Sequence, residues 1–255
     1  MPPAPTDPRG PSAGPGRLTG VGVGPGDPDL LTRGAVAVLV SADRVVAPTT
    51  DGSAPGRAEA VVHEVLPDLP LTRLTFDMTP DGVAEGVEAR AASHRAAAEQ
   101  LVPWLDAGEH VAFVTLGDPN IYSTFPSLVS AVRGLGREPE VRTVPGVMAF
   151  QALAARSGTV LTDGTQSLSL VTALDGTGPL EEAIGDPART VVVYKGGRHL
   201  PAIAALLGRH GRLDGAVLGE LLGLPGERIA PLAGADGPAS YLATVIVPPS
   251  APGAG

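Results

Sequence analysis

Three stretches of this chain combine glycine and proline, two of them with a carboxylate, in the way a backbone-lined ligand site requires. The first is Gly22-Val23-Gly24-Pro25-Gly26-Asp27-Pro28, behind an apolar run that begins at Leu18. The second is Gly117-Asp118-Pro119, at the end of Val111-Ala112-Phe113-Val114-Thr115-Leu116, and the third is Val144-Pro145-Gly146-Val147-Met148-Ala149. Each reads as a buried strand that runs into a turn and then a helix start. Glycine lets a ligand come close to the main chain. Open α/β sheets bind small molecules in this place, outside the carboxyl ends of their strands.

The residue types also exclude chemistries. The first turn does not supply GxGxxG in register, Pro25 removes a donor that a pyrophosphate would use, and no Gly-Lys-Ser/Thr follows. Cysteine is absent, so thiolate nucleophiles, thiolate metal ligands and disulfides are excluded. The five histidines, His63, His94, His110, His199 and His210, show no metal-ligand spacing, and no serine elbow or carboxylate pair stands out. The chemistry must come from a cofactor or from positioning. Asp118 at a strand end can orient a cationic or hydroxyl-bearing partner, or simply cap the next helix. Ser123 and Thr124 can bond a ligand or start that helix, and the small residues around Met148 and Ala149 leave room for a flat ring.

The composition is that of a soluble globular chain: 255 residues, 43% hydrophobic and 18% charged. Aromatics make up only 3%, so Val, Leu and Ala must fill the interior. The formal charge of -9 disfavours a nucleic-acid surface. No apolar run reaches the roughly 18 residues of a membrane span, and no signal-peptide pattern opens the chain. A cytoplasmic protein is expected. Residues 1–16 and 249–255, rich in Pro, Gly and Ala, read as disordered tails.

Strands and helices alternate along the rest, the α/β signature. Strands are expected at Leu18–Val23, Arg44–Ala47, His110–Leu116, Glu140–Val144, Ser167–Ala173, Thr190–Tyr194, Gly215–Gly219 and Tyr241–Val247. Asp27 can cap a helix with Pro28 at its first position. A long amphipathic helix should carry Val83, Val87, His94, Ala98, Leu101 and Leu105 on one stripe and stop at Gly108. Polar/apolar alternation over Ser167–Ala173 favours antiparallel pairing on at least one side. Gly134-Leu135-Gly136 is a candidate hinge, which gives an N-terminal α/β domain at 17–134 and a C-terminal one at 135–248.

Taken together and in order, the three glycine turns resemble the signatures of the tetrapyrrole methylases. Within that family, Thr115-Leu116-Gly117-Asp118-Pro119-Asn120-Ile121-Tyr122-Ser123-Thr124-Phe125 is most similar to the subgroup that methylates carbon 20 of precorrin-2 or cobalt-precorrin-2 in cobalamin biosynthesis. Val193-Tyr194-Lys195-Gly196 falls at a similar strand-end turn, while Gly219-Glu220-Leu221-Leu222-Gly223-Leu224-Pro225 is less polar than that subgroup's usual stretch. The resemblance implies a homodimer of two α/β domains with S-adenosylmethionine held in a cleft between them. It places Pro25 beside the cofactor, and Leu116, Gly117, Asp118 and Ile121 at its methionine end and ribose. Ser123, Thr124, Met148 and Ala149 would line the pocket, with Tyr194, Lys195 and Leu222 from the second domain. A polycarboxylate substrate also needs guanidinium forks, for which Arg33, Arg73, Arg90 and Arg95 are candidates. The base that removes the substrate proton is not identified.

Overall fold

A computed structural model describes residues 15–50, 54–77 and 84–250. The expected tails lie outside the described residues apart from Pro15, Gly16, Pro249 and Ser250, and so does Val83. The chain forms two compact units. The first ends at Gly146; the second starts at Val147 and also takes in Pro25–Asp27. No helix of the described residues is long and apolar enough to cross a membrane.

The first unit alternates strand and helix: β1 (Arg17–Gly22), α1 (Arg33–Ser41), β2 (Arg44–Thr49), α2 (Arg57–Val65), β3 (Thr72–Thr75), α3 (Ala84–Asp106), β4 (His110–Thr115), α4 (Phe125–Gly134) and β5 (Glu140–Val144). All pairings in its sheet are parallel, in the order β3-β2-β4-β1-β5. A parallel sheet is covered on both faces, and two separate clusters show this. Leu101, Phe113, Phe125 and Leu128 pack on one face; Val21, Leu39, Val62 and Val114 pack on the other. On α3, His94, Ala98, Leu101 and Leu105 are buried as the stripe requires, but Val87 is 56% exposed.

Two expectations change here, and one strand is added. Glu140–Val144 does not open the second domain: as β5 it pairs with β1 from Arg17↔Glu140 to Val21↔Val144, so Gly134-Leu135-Gly136 ends a helix inside the first unit. Asp27 does not cap the first helix. Pro28–Leu30 is a lone 3-10 turn, and α1 starts later, with the Thr32 hydroxyl accepting the Ala35 N–H at 3.1 Å. The segment Thr72-Arg73-Leu74-Thr75 is a strand although only Leu74 faces a core.

The second unit holds α5 (Ala149–Ser157), β6 (Ser167–Thr172), α6 (Gly178–Ala183), β7 (Arg189–Tyr194), α7 (Leu200–Arg209), β8 (Val217–Glu220), β9 (Arg228–Pro231) and β10 (Thr244–Val247). Its sheet runs β6-β7-β10-β8-β9 and is mixed. The β6 strand is parallel to β7, not antiparallel; its alternation reflects an edge strand with exposed positions. The remaining pairs are antiparallel. Arg212, 5% exposed, donates to the carbonyls of Ile184, Asp186, Arg189 and Pro248 and ties the chain after β10 to the start of β7.

Candidate functional site

β1 and β4 are parallel neighbours in the first sheet, and their connections leave in opposite directions. From β1 the chain crosses toward β2, and from β4 it crosses the other way toward β5. The carboxyl ends of the parallel strands are the usual ligand side of such sheets. The first two glycine turns leave from those two strand ends, and the third leaves β5 on the far side of β1.

The turns are bonded to one another by main chain. Val23 N–H donates to the Thr115 carbonyl at 2.9 Å, and Gly117 N–H to the Gly24 carbonyl at 2.8 Å. A Cβ on Gly22 would lie 2.4 Å from the Gly117 oxygen and 2.6 Å from the Gly146 nitrogen; one on Gly146 would lie 2.0 Å from the Gly117 oxygen. No side chain fits at either position, so glycine is dictated by backbone contact. Asp118, 8% exposed, completes the junction. Its Oδ1 accepts the Asn120 N–H at 2.8 Å and its Oδ2 the Gly146 N–H at 3.1 Å. Asp118 thus clamps the second turn to the third and does not cap α4. Further along, Ser123 Oγ donates to Thr115 Oγ1 at 3.1 Å and accepts the Phe125 N–H at 3.1 Å. Leu116, Gly117, Asp118, Ile121, Ser123 and Thr124 therefore share one strand-to-helix connection of the first unit.

The other expected residues gather in the second unit. Tyr194, the last residue of β7, accepts the Phe150 N–H on its phenolic oxygen at 3.1 Å, which seats the start of α5, next to Met148 and Ala149, on that strand. Lys195 follows at φ 56°, its ammonium 5.9 Å from the Tyr241 ring centre. After β8, Leu221 has φ 50°. Each non-glycine residue held in this left-handed region costs roughly 1–2 kcal/mol. Such strain concentrates at functional sites. The described residues contain three, Tyr122, Lys195 and Leu221, all in connections that follow a strand.

The segments that carry Pro25 and Leu222 are neighbours through Gly26 and Gly223. A Cβ on Gly26 would meet the Leu222 carbonyl at 2.4 Å, and one on Gly223 the Asp27 nitrogen at 2.1 Å. Arg156, near the end of α5, bonds Asp27 Oδ2 at 2.6 Å and also Glu227, whose carboxylate accepts the Gly223 N–H at 2.6 Å. The Asp27 carboxylate is engaged in this ion network. No motif marked Arg156; its only sequence signal is a lone arginine near the end of a small-residue helix.

The four candidate arginines have different fates. Arg73 is engaged bidentately by Glu59, at 2.8 and 2.9 Å, and its guanidinium holds the buried Glu59 carboxyl below the usual carboxylate range. Arg95 pairs with Glu99 one helical turn on. Arg90 lies half-buried on α3, and its carbonyl bonds Ser93 and His94. Arg33 is exposed at the start of α1, on the carboxyl side of β1, and makes no ion pair among the described residues.

Comparison with known proteins adds to this geometry. A family model described as the tetrapyrrole (corrin/porphyrin) methylases matches residues 17–235. The chain is similar to a precorrin-2 C(20)-methyltransferase of Sinorhizobium sp, with 35% identity over 240 residues, 92% of this chain and 96% of that protein. It is similar to a cobalt-precorrin-2 C(20)-methyltransferase of Salmonella typhimurium, with 31% identity, 91% of this chain and 96% of that one. Among solved structures, the uroporphyrin-III C-methyl transferase from Thermus thermophilus complexed with S-adenosylhomocysteine aligns at TM-score 0.62. The alignment covers 91% of this chain and 97% of that one, and its 24% identity speaks for the fold alone.

Proposed function

The chain belongs to the tetrapyrrole methylases, and on that premise we propose that it moves a methyl group from S-adenosylmethionine to carbon 20 of precorrin-2 or cobalt-precorrin-2. The observation that carries the donor half of this reading is the convergence of three glycine turns at the carboxyl ends of β4, β1 and β5. The substrate half follows the two relatives matched over nearly their whole length, whose names give that carbon.

The residues fit such a donor. Two buried hydroxyls of the second unit, Thr244 Oγ1 and Ser240 Oγ, have no hydrogen-bond partner among the described residues. Thr244 is in register with Tyr194 on one side and Gly219 on the other, and the Ser240 N–H bonds the side chain of Glu220. Buried polar atoms left unpaired are places for a partner from outside the chain, a water or a ligand group. The donor offers an amine, a carboxylate, ribose hydroxyls and ring nitrogens. When bound, S-adenosylmethionine supplies a methyl group already activated on a sulfonium, so the protein need not create the electrophile.

What remains for the chain is placement. The residues proposed to meet the donor are Leu116, Gly117, Asp118, Ile121, Ser123 and Thr124, with Pro25, Met148, Ala149, Tyr194, Lys195 and Leu222. Asp118 acts by holding two turns in register, because both its oxygens already accept main-chain N–H groups. Orientation of a nucleophilic carbon behind the methyl can remove roughly 7–11 kcal/mol of barrier at best. Arg33 would meet a substrate carboxylate, and two copies of the chain would form the working dimer. Purified protein incubated with S-adenosylmethionine and enzymatically made precorrin-2, with and without cobalt, should yield a product heavier by one methyl. Donor binding without a mass change on either substrate would remove the substrate assignment.

A further inference from the structure

The connection from β4 to α4 is anchored twice, and one bulky residue stands between the anchors. On one side Asp118 holds the Asn120 and Gly146 N–H groups, and the Asn120 side chain donates to Thr143 Oγ1 at 3.3 Å. On the other side Ser123 is tied to Thr115 and to the Phe125 N–H. Tyr122, between them, sits at φ 50°, a conformation that bulky side chains avoid. Its side chain does not go to the core. Phe76, Phe113 and Phe125 of this unit are at most 3% exposed, whereas Tyr122 is 45% exposed. A left-handed backbone thus coincides with an aromatic ring left nearly half exposed. Partial desolvation pushes its phenol upward from the ordinary value of 10.0, so at neutral pH it is an O–H donor and no proton acceptor.

We infer that Tyr122 contacts the tetrapyrrole: its ring lies against the macrocycle and its O–H donates to a substrate carboxylate, while the segments anchored on either side serve the methyl donor. A neutral phenol suits both parts, since aromatic faces pack on flat rings and a hydrogen bond to a charged acceptor is among the stronger kinds. The assignment rests on the methyl-transfer reading above.

The test measures two ligands separately on the full chain, uroporphyrin III by fluorescence titration and S-adenosylhomocysteine by calorimetry. Tyr122→Ala should weaken the porphyrin roughly tenfold, the scale of a charged hydrogen bond, and leave S-adenosylhomocysteine within about twofold. Tyr122→Phe keeps the ring and should lose only part of that affinity. Tyr122→Gly relieves the strain, so it should melt higher than Tyr122→Ala yet bind porphyrin as weakly. A purely structural role predicts the reverse, with the glycine variant matching wild type for both ligands. Porphyrin affinity unchanged in Tyr122→Ala, or both ligands weakened together, overturns the inference and leaves the methyl-transfer reading standing. A wild-type chain that neither binds uroporphyrin III nor methylates precorrin-2 overturns that reading, and this inference with it.

Discussion

The two units build their strand-end turns by different means. In the first, glycines are required because main chain touches main chain, and the turns hold one another through backbone bonds and a single carboxylate. In the second, main-chain contact also dictates Gly26 and Gly223, but charged side chains around Arg156 fix those same segments as well, and Lys195 and Leu221 stand in the left-handed region as Tyr122 does in the first. A junction made by contact has no slack, whereas one made by ion pairs can loosen by degrees. Substitutions of the contact glycines should therefore be abrupt in effect, and those of the ion pairs graded and sensitive to salt.

The largest effect should come from Gly146→Ala. Its methyl has nowhere to go with the Gly117 oxygen at 2.0 Å, and overpacking against rigid backbone should cost about 3 kcal/mol or more. Thermal melts should show a fall of many degrees together with lost S-adenosylhomocysteine binding; a variant that melts like wild type would break the contrast. Asp118→Ala comes next. It strands two N–H groups, at about 1–3 kcal/mol for each group left unpaired, and should weaken the donor in calorimetry. Unchanged donor affinity there would show that the clamp does not shape the site.

Arg156→Leu should be milder, because the pair with Asp27 is part-exposed at 29% and 27% and worth about 1 kcal/mol or less. Its signature is the salt dependence: donor affinity of wild type should fall as salt rises, and that of the variant should not. A double-mutant cycle with Asp27→Asn isolates the term. The smallest effect is in pH. Glu59 is held below its ordinary 4.5, chiefly by the hydrogen bond from Arg73. Its folded value is depressed, so the contribution is complete above the unfolded value and is lost as pH falls through the folded one. Amide exchange at acid pH should then open α2 and β3 before the elements of the second unit. Simultaneous opening would put the acid weakness elsewhere.

Much of this was legible in the sequence, and unevenly. The turns at Gly22, Gly117 and Gly146 could be read because steric necessity leaves a glycine that no other residue can replace. The strand Glu140–Val144 was visible, but its place beside β1 was not, since pairing partners in a parallel sheet leave no local mark. The β3 strand escaped because Leu74 is its single core residue, and β9 because Pro231 and exposed positions mask an edge strand. Tyr194, Lys195 and Leu222 could be named only by resemblance. Leu221 and Lys195 bear left-handed backbone without glycine, and the partners of Arg156 lie 129 and 71 positions away.

The most direct measurement uses S-adenosylmethionine labelled with carbon-13 in its methyl group, purified protein and precorrin-2, followed by carbon-13 NMR of the product. One labelled methyl on carbon 20 is the expected result, and a parallel run with cobalt-precorrin-2 shows which form is turned over. A labelled methyl on any other ring carbon, or label remaining wholly in the donor, would contradict it.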